Sequence, residues 1–465
     1  MTRIFITVLL LIGPIVQAGE TWQAGVATRI ITPTEPTWMA GYAGRKEPGN
    51  GKVTELWAKA LLIQDASGHR GLILTLDLIG VGRKFSDSVC QLLQEELDLK
   101  RDQIAICTSH THSGPVVREN LGPTHLFRLS PEQQEVVQNY ATHLRKQILE
   151  VSQEAAKALQ PARLQWGSGK ATFAVNRRNN KPYSKVPERR RLGTLVGPVD
   201  HDVPVLSVRS PEGELRAVLF GYACHATTTG FQEWSGDYPG FAQIAIERDF
   251  PGCTALFWAG CGGDQNPLPR RTLEYAKTYG EQLARAVSDV LAAPMPEIFP
   301  DLATHYQTIP LAFSKLPTQE EIQAKLKHAN PYEVARARHL LRQIKKEGNL
   351  DDTYPYPIGS WTLGCHLEEI EFITLGGEVT VEYALRLKEE RHGLRTWVAG
   401  YANDVMAYIP SLKVLKEGGY EGGGSNVYYG IPSLWAESIE ETIIKAAHRI
   451  SNEPQAPVIP DSGID

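Results

Sequence analysis

Two histidines two residues apart, His110 and His112, lie inside the stretch Thr108-Ser109-His110-Thr111-His112-Ser113-Gly114-Pro115. In extended backbone, side chains two apart share a face, so one imidazole can bind a metal while the other stands a few ångströms away as an acid or base. The stretch follows Gln103-Ile104-Ala105-Ile106-Cys107, an apolar run that reads as a short buried strand, and it ends in a Gly-Pro breaker. Both imidazoles therefore fall where a strand becomes a loop. The spacing is common, and a hydrogen-bonded polar pair in a turn would look the same, so distant residues must decide. Three further features stand at the ends of apolar runs: His225, Glu378 after Gly376-Gly377, and the tyrosines Tyr401, Tyr408 and Tyr420. Two imidazoles and a carboxylate suit Zn²⁺, and three protein ligands with an open position mark a catalytic rather than a structural zinc. The chemistry of such a site is hydrolytic, because zinc brings the pKa of water towards neutrality and polarises a carbonyl.

The elements that must position these residues alternate between strands and helices. Ala24 to Pro33 alternates like an edge strand and stops at proline. Leu56–Ile63 and Gly71–Val81 read as a hairpin turned by Asp65-Ala66-Ser67-Gly68; Asp77, inside the second run, is either a site residue or a hydrogen-bonded structural carboxylate. Ser130-Pro131-Glu132-Gln133 is a capping box that opens a helix to about Leu159. Short strands around Leu164 and Phe173 lead to Asn176-Arg177-Arg178. A second hairpin, Val203–Val208 and Leu215–Cys224, delivers His225 at its end. A helix to Arg248 is expected after Gly236-Asp237, then a strand Ala255–Ala259, a glycine-dense loop Gly260–Pro267 and a helix Thr272–Leu291. That loop is no P-loop, since no Lys-Ser/Thr follows its glycines. Residues 315 to 360 read as an inserted, charged helical hairpin closed by Tyr354-Pro355-Tyr356-Pro357 that could cover a site. Leu367–Leu375, a helix Val379–Glu390, the strand Trp397–Gly400, a loop-rich Asn403–Gly424 and a helix Leu434–Ile450 complete the chain.

The expected class is α/β, with mixed β-sheets flanked by helices in a single large catalytic domain. A length of 465 residues with 42% hydrophobic and 22% charged residues permits an extensive core. A net charge of −5 gives no support to a nucleic-acid binder. Arg3, the apolar run Ile4–Val16 and the small residues of Val16-Gln17-Ala18 form a secretory leader over 1–18, which implies export; no later run is long enough to span a bilayer. The working domain is then 19–451, and the proline-rich 452–465 is expected to be a disordered tail. Six sparse cysteines without C-x-x-C spacing read mostly as core residues, Cys253 and Cys261 being the pair best suited to a disulfide.

The 108–115 stretch resembles the signature of the neutral (non-lysosomal) ceramidases, zinc amidases that split ceramide into sphingosine and fatty acid. Ala24-Gly25-Val26-Ala27, Ile31-Thr32-Pro33, Met39-Ala40-Gly41-Tyr42, Asn176-Arg177, the His225 strand end, Gly263-Asp264, Gly377-Glu378, Tyr408 and Tyr420-Glu421-Gly422 follow in the family's order. The resemblance implies Zn²⁺ held by His110, His225, Glu378 and Tyr408. It implies that His112 is the general acid and base, and that Arg177 and Tyr420 hold the amide oxygen as charge develops there, Arg178 being able to exchange roles with Arg177. It implies a lipid-like N-acyl substrate, with room for transient contact with a membrane surface, and leaves the oligomeric state open.

Departures from the family matter too. Asn266, in Gly263-Asp264-Gln265-Asn266-Pro267, stands where the family carries a serine, so a serine nucleophile there is excluded. The sequence is also expected to lack the family's C-terminal immunoglobulin-like domain. With the 315–360 insertion, this keeps two other readings open: a zinc amidase or deacetylase for acylated sugars or small amides, and a non-catalytic binder that retains the fold.

Overall fold

The computed structural model describes residues 21–365 and 369–451. The leader at 1–18 and the tail at 452–465 lie outside the described residues.

In chain order the elements begin β1 (Trp22–Ile30), β2 (Trp57–Gln64), β3 (Arg70–Leu76), α1 (Arg83–Leu97), β4 (Ile104–Thr108), α2 (Pro131–Lys157), β5 (Gln160–Lys170), β6 (Ala174–Asn176), α3 (Val186–Leu192), β7 (Asp202–Arg209), β8 (Leu215–Tyr222), α4 (Asp237–Asp249), β9 (Thr254–Ala259), β10 (Gln265–Pro267) and α5 (Leu273–Ala292). They continue β11 (Leu302–Ala312), α6 (Gln319–Ala324), α7 (Pro331–Glu347), β12 (Thr353–Leu363), β13 (Ile370–Leu375), β14 (Glu378–Val379), α8 (Val381–Glu390), β15 (Thr396–Ala399), β16 (Tyr408–Ile409), α9 (Leu412–Glu417), α10 (Asn426–Tyr429) and α11 (Ile439–Ile450).

An eight-stranded mixed sheet, order β4-β3-β2-β1-β5-β7-β8-β9, faces a four-stranded sheet, order β11-β12-β13-β15. Strand periodicity sorts their side chains into layers. Ala60 and Leu62 of β2 and Leu72 and Leu74 of β3 point to the helical side, where they meet Phe85, Val89 and Leu93 of α1 and Leu144, Ile148 and Val151 of α2. Val218 and Phe220 of β8 and Phe257 of β9 meet Ala242 and Ile246 of α4 and Leu283 and Val287 of α5 in the same way. The alternate residues, Leu61, Ile63, Ile73, Leu219 and Trp258, pack on Trp361, Phe372 and Trp397 of the smaller sheet. The outer face of that sheet buries Ile358, Ile373 and Val398 against Leu387 of α8 and Ile443 and Ile444 of α11. The result is helices, sheet, sheet, helices, with β2, β3, β4, β8, β9 and β13 buried on both faces and therefore largely apolar in sequence, whereas β1, β5 and β11 are partly exposed.

The two hairpins, the capping box at Ser130 and Gln133, and the helices after 130, 236 and 272 form as expected. Other readings need correction. β1 is interior, between β2 and β5. It pairs with β5 only over Trp22–Ala24, so its last residues alternate like an edge although the strand is not one. Asp77 follows β3, accepts the Trp57 N–H at 3.0 Å and is a structural carboxylate; burial pushes it up to about 6. The helix α1 is an addition, legible in hindsight from Phe85, Val89 and Leu93 at helical spacing. β11 and β12 were hidden by Pro310, Pro355 and Pro357. β12 receives β13 only along Ile358–Leu363, so beside its prolines no ladder bond is needed on that side. The 315–360 segment is thus helical in α6, a short 3-10 turn at Lys325–Lys327 and α7, and its end is a core strand. The 403–424 stretch carries β16 and α9, and the last helix starts at Ile439 rather than Leu434. Cys253 and Cys261 are both free. They flank β9, a six-residue strand that spans roughly 20 Å, far beyond disulfide reach.

Candidate metal centre

β4 and β9 are the two outer strands of the large sheet, and the segment around Gly400 lies against both. Isolated bridges pair Cys107 with Ala402 and Gly260 with Ala399, the Asn403 N–H donates to Ile106 O, and Thr108 Oγ1 donates to Tyr401 O. This strap draws the ends of β4 and β8 together, although six strands stand between β4 and β8's outer neighbour. Thr111 then bridges Ala226, and the loops after β4 and β8 run side by side. His110 comes from the first loop and His225 from the second.

The third group arrives through a short parallel pair. β14 and β16 register Glu378 opposite Tyr408. Gly263 allows the approach: its N–H donates to Val379 O at 2.8 Å, and a Cβ there would sit 2.6 Å from Glu378 O. Asp264 locks the corner, accepting the Val381 N–H at 3.0 Å and Asn176 Nδ2 at 2.8 Å through its carboxylate and the Arg177 N–H at 2.8 Å through its carbonyl.

His110 Nδ1 lies 2.6 Å from Ile79 O and His225 Nδ1 lies 2.7 Å from Gly262 O. A carbonyl only accepts, so each Nδ1 carries a proton and each Nε2 points inward, where in the neutral tautomer it offers a lone pair. Those two Nε2 atoms lie 3.3 Å and 3.0 Å from Glu378 Oε2. That oxygen has no hydrogen-bond partner and the side chain is 3% exposed. Three buried groups of acceptor type converging on one point fit a cation, with Tyr408 OH and Arg177 Nη1 also reaching His225 Nε2 from the cleft side at 3.1 and 3.4 Å. Burial, with Arg177 nearby, holds His225 down to about 4. Burial alone would raise Glu378, but the positive charge that His110 and His225 carry when protonated holds it well below the usual carboxylate range.

His112 Nε2 is 3.2 Å from His110 Nε2, and its Nδ1 is buried without a partner. The ligating nitrogens of His110, His112 and His225 all lie within 4.8 Å of one another, so the three could hold a metal as a group. Burial and the neighbouring imidazoles keep His112 neutral, well below 6.5. Tyr408 OH lies 3.1 Å from His225 Nε2 and accepts from Arg177 Nη2 at 3.0 Å. Arg177 also donates from Nε to Glu421 at 2.7 Å and from Nη1 to Asn266 Oδ1 at 3.3 Å. Arg178 turns away, to Gly418 O, Glu417 and Glu421, so the two arginines have different surroundings. Tyr420 is 47% exposed at the rim, its ring 5.7 Å from the Arg177 guanidinium carbon. All these groups except His110 and Glu378 line a cleft of about 490 Å³.

Sequence reasoning missed Tyr429, which donates to Glu378 Oε1. It singled out the stretches that hold Tyr401 and Tyr42 without giving either a role; Tyr401 lies 4.2 Å ring to ring from His110, and Tyr42 lies 4.9 Å from His112. His110, Tyr401 and Tyr42 have φ of 57°, 55° and 47°. Such left-handed backbone is uncommon outside glycine and gathers at functional sites. Asn266 is 1% exposed and its Nδ2 has no partner. The inserted helix α7 reaches the same region: Tyr332 donates to Ala43 O and its ring meets Tyr428, and Arg336 donates to Ile431 O and Pro432 O.

A family model described as neutral/alkaline non-lysosomal ceramidase, N-terminal, matches residues 22–260. The neutral ceramidase of Pseudomonas aeruginosa is 26% identical over 237 residues, 49% of this chain and 34% of that protein. The neutral ceramidase of Drosophila pseudoobscura pseudoobscura is 25% identical over 280 residues, 57% of this chain and 38% of that one. The matches thus span little more than a third of these relatives. The crystal structure of the Pseudomonas aeruginosa neutral ceramidase superposes with a TM-score of 0.70 at 19% identity, covering 93% of this chain and 74% of that one, a likeness of fold. Among the described residues no helix is long and apolar enough to cross a membrane.

Proposed function

Since this chain belongs to the neutral/alkaline non-lysosomal ceramidase family, we propose that it is a zinc-dependent amidohydrolase that cleaves the N-acyl bond of ceramide or a ceramide-like lipid into amine and fatty acid. One observation carries the reading: the two inward Nε2 lone pairs and the unpartnered Glu378 oxygen, which together ask for a cation. His110, His225, Glu378 and Tyr408 would hold Zn²⁺. Bound there, zinc supplies a Lewis acid that brings water's pKa towards neutrality and polarises an amide carbonyl.

The chain's own residues do the rest. His112, neutral at rest and with Nδ1 unpartnered, accepts the proton of the attacking water and passes it to the leaving nitrogen. Arg177, fixed in orientation by Glu421 and Asn266, holds the amide oxygen from one side, and Tyr420 at the rim holds it from the other. A side chain anchored at both these points loses little further entropy on binding substrate. Asn266 offers an amide where a serine nucleophile would stand, which supports attack by water. α7, packed on the segment that bears Tyr428 and Tyr429, shapes the entrance. The 1–18 leader supports export, and the lipid substrate supports transient contact with a membrane surface. The test is hydrolysis of a short-chain ceramide by zinc-loaded protein, with His110→Ala losing metal and activity together; a fully active His110→Ala ends the proposal.

A further inference from the structure

The cleft holds more positive charge than the reaction needs. Arg177 and Arg178 share Glu421, and Arg178 also pairs with Glu417. Arg270 and Arg271 line the same cleft, with Arg45 beside them around Tyr42, and among the described residues none of these three has a carboxylate within ion-pair distance. Arg270 donates to Thr227 Oγ1 at 2.8 Å, Arg271 donates to Thr229 O at 3.4 Å, and Arg45 donates to Phe231 O, Gln232 and His112 O. The buried carboxylate close by, Asp237, accepts instead from the Thr228, Thr229 and Tyr238 amides. Arg271 stacks with its guanidinium carbon 4.3 Å from the Tyr42 ring, and its φ of 92° is strained for a residue with a side chain.

Arg271 is exposed, whereas Arg270 and Arg45 are partly buried, and partly buried charges without a counter-ion are uncommon. Burial and each other's charge lower Arg270, and burial takes Arg45 down to about 10, as expected of cations crowded without a counter-charge. Their side of the cleft is that of His112: Tyr42 lies 4.9 Å from the His112 ring, and Arg270 adds its repulsion to that imidazole. Given the proposed hydrolysis, His112 faces the leaving amine, so the arginines face the amine half.

We propose that, within the ceramide-like N-acyl class, the substrate this cleft prefers carries an anionic group on its amine half, a carboxylate, sulfonate or phosphate, seated between Arg270 and Arg271. Guanidinium forks match such groups with paired hydrogen bonds. The inference rests on the N-acyl hydrolase reading for which half of the substrate lies there. In the reaction, water adds its oxygen to the acyl carbon, the C–N bond breaks, and the nitrogen takes the proton, leaving a fatty acid and an amine that keeps its anionic group.

The test uses short probes that stay monomeric. N-Hexyltaurine and N-hexylethanolamine lack the carbonyl and cannot be cleaved; they differ in a sulfonate against a hydroxyl. Wild-type protein is expected to bind the sulfonate at least about tenfold more tightly. Arg270→Gln/Arg271→Gln should bring that ratio close to one, Arg270→Lys/Arg271→Lys should keep part of it, and added salt should shrink it. The same preference is expected in kcat/KM for N-hexanoyltaurine over N-hexanoylethanolamine. A wild-type binding ratio near one, or a ratio untouched in the double glutamine variant, overturns the inference. Sulfonate binding without cleavage of either amide would leave the anion seat standing and sink the hydrolase reading.

Discussion

Replacing Glu378 by Gln separates a metal site from a structural ion pair by the sign of its effect. In the metal-free protein, Glu378 Oε2 faces two Nε2 lone pairs at 3.0 and 3.3 Å, while Oε1 accepts from Tyr429. Glutamine keeps an oxygen for Tyr429 and turns an N–H₂ towards His225, adding a neutral hydrogen bond of about 1 kcal/mol and removing a buried charge that faces acceptors. Without metal the variant should therefore be as stable as wild type, or more stable by about 1 kcal/mol. With zinc the order reverses. Loss of a residue that merely orients a metal ligand costs about 10–100-fold in affinity, so loss of a ligand should cost at least the upper figure, or about 2.7 kcal/mol of zinc-dependent stabilisation. Were Glu378 instead paired with a protonated histidine, removing its charge would destabilise the protein by about 3–5 kcal/mol whether or not zinc was present. Zinc titration against a competing chelator and calorimetric unfolding with and without zinc give both quantities. Unchanged zinc affinity, or a metal-free variant weakened by several kcal/mol, would refute the reasoning.

Three other outcomes are expected. His112→Ala should keep zinc within a few-fold and lose about 10²–10⁴ of turnover; loss of the metal as well would make His112 a ligand. Gly263→Ala should push its Cβ into Glu378 O and Val379 O, 2.6 and 2.8 Å away, so zinc affinity should fall together with a stability loss of about 1–3 kcal/mol, read by the same titration and calorimetry. His125, 2% exposed and accepting the Gly41 N–H at 3.1 Å, is lowered by burial to about 3. Below pH 6.5 the unfolded chain takes up a proton there that the folded protein refuses, so stability falls as pH drops. From pH 8 to pH 5 wild type should lose about 2 kcal/mol relative to His125→Gln in denaturant unfolding, and equal losses would remove His125 from the account.

Much of this molecule was legible in one dimension because local rules act over a few residues. The capping box at Ser130, the helical spacing behind it, the Asp65–Gly68 and Pro211–Gly213 turns and the apolar β4 run all report backbone preferences that neighbours cannot easily override. The strands β11 and β12 were not legible: prolines argue against a strand until one knows which side of it lacks a neighbour. The edge reading of β1 failed for the same reason, since sheet position is a property of partners.

The site divides along the same line. Side-chain type and the family's order of motifs singled out His110, His112, Arg177, His225, Glu378, Tyr408 and Tyr420. Sequence could not say that Ile79 O and Gly262 O fix two imidazole tautomers, that Tyr429 joins Glu378, or that arginines 270 and 271 stand unpaired beside His112. Those facts depend on the strap at Gly400 holding two sheet edges together, and on Gly263 letting β14 approach the loop after β9. Residue identity fixes which chemistry a chain is able to perform, whereas lone-pair direction and the absence of a counter-charge arise only when segments hundreds of residues apart exclude water from the same small volume.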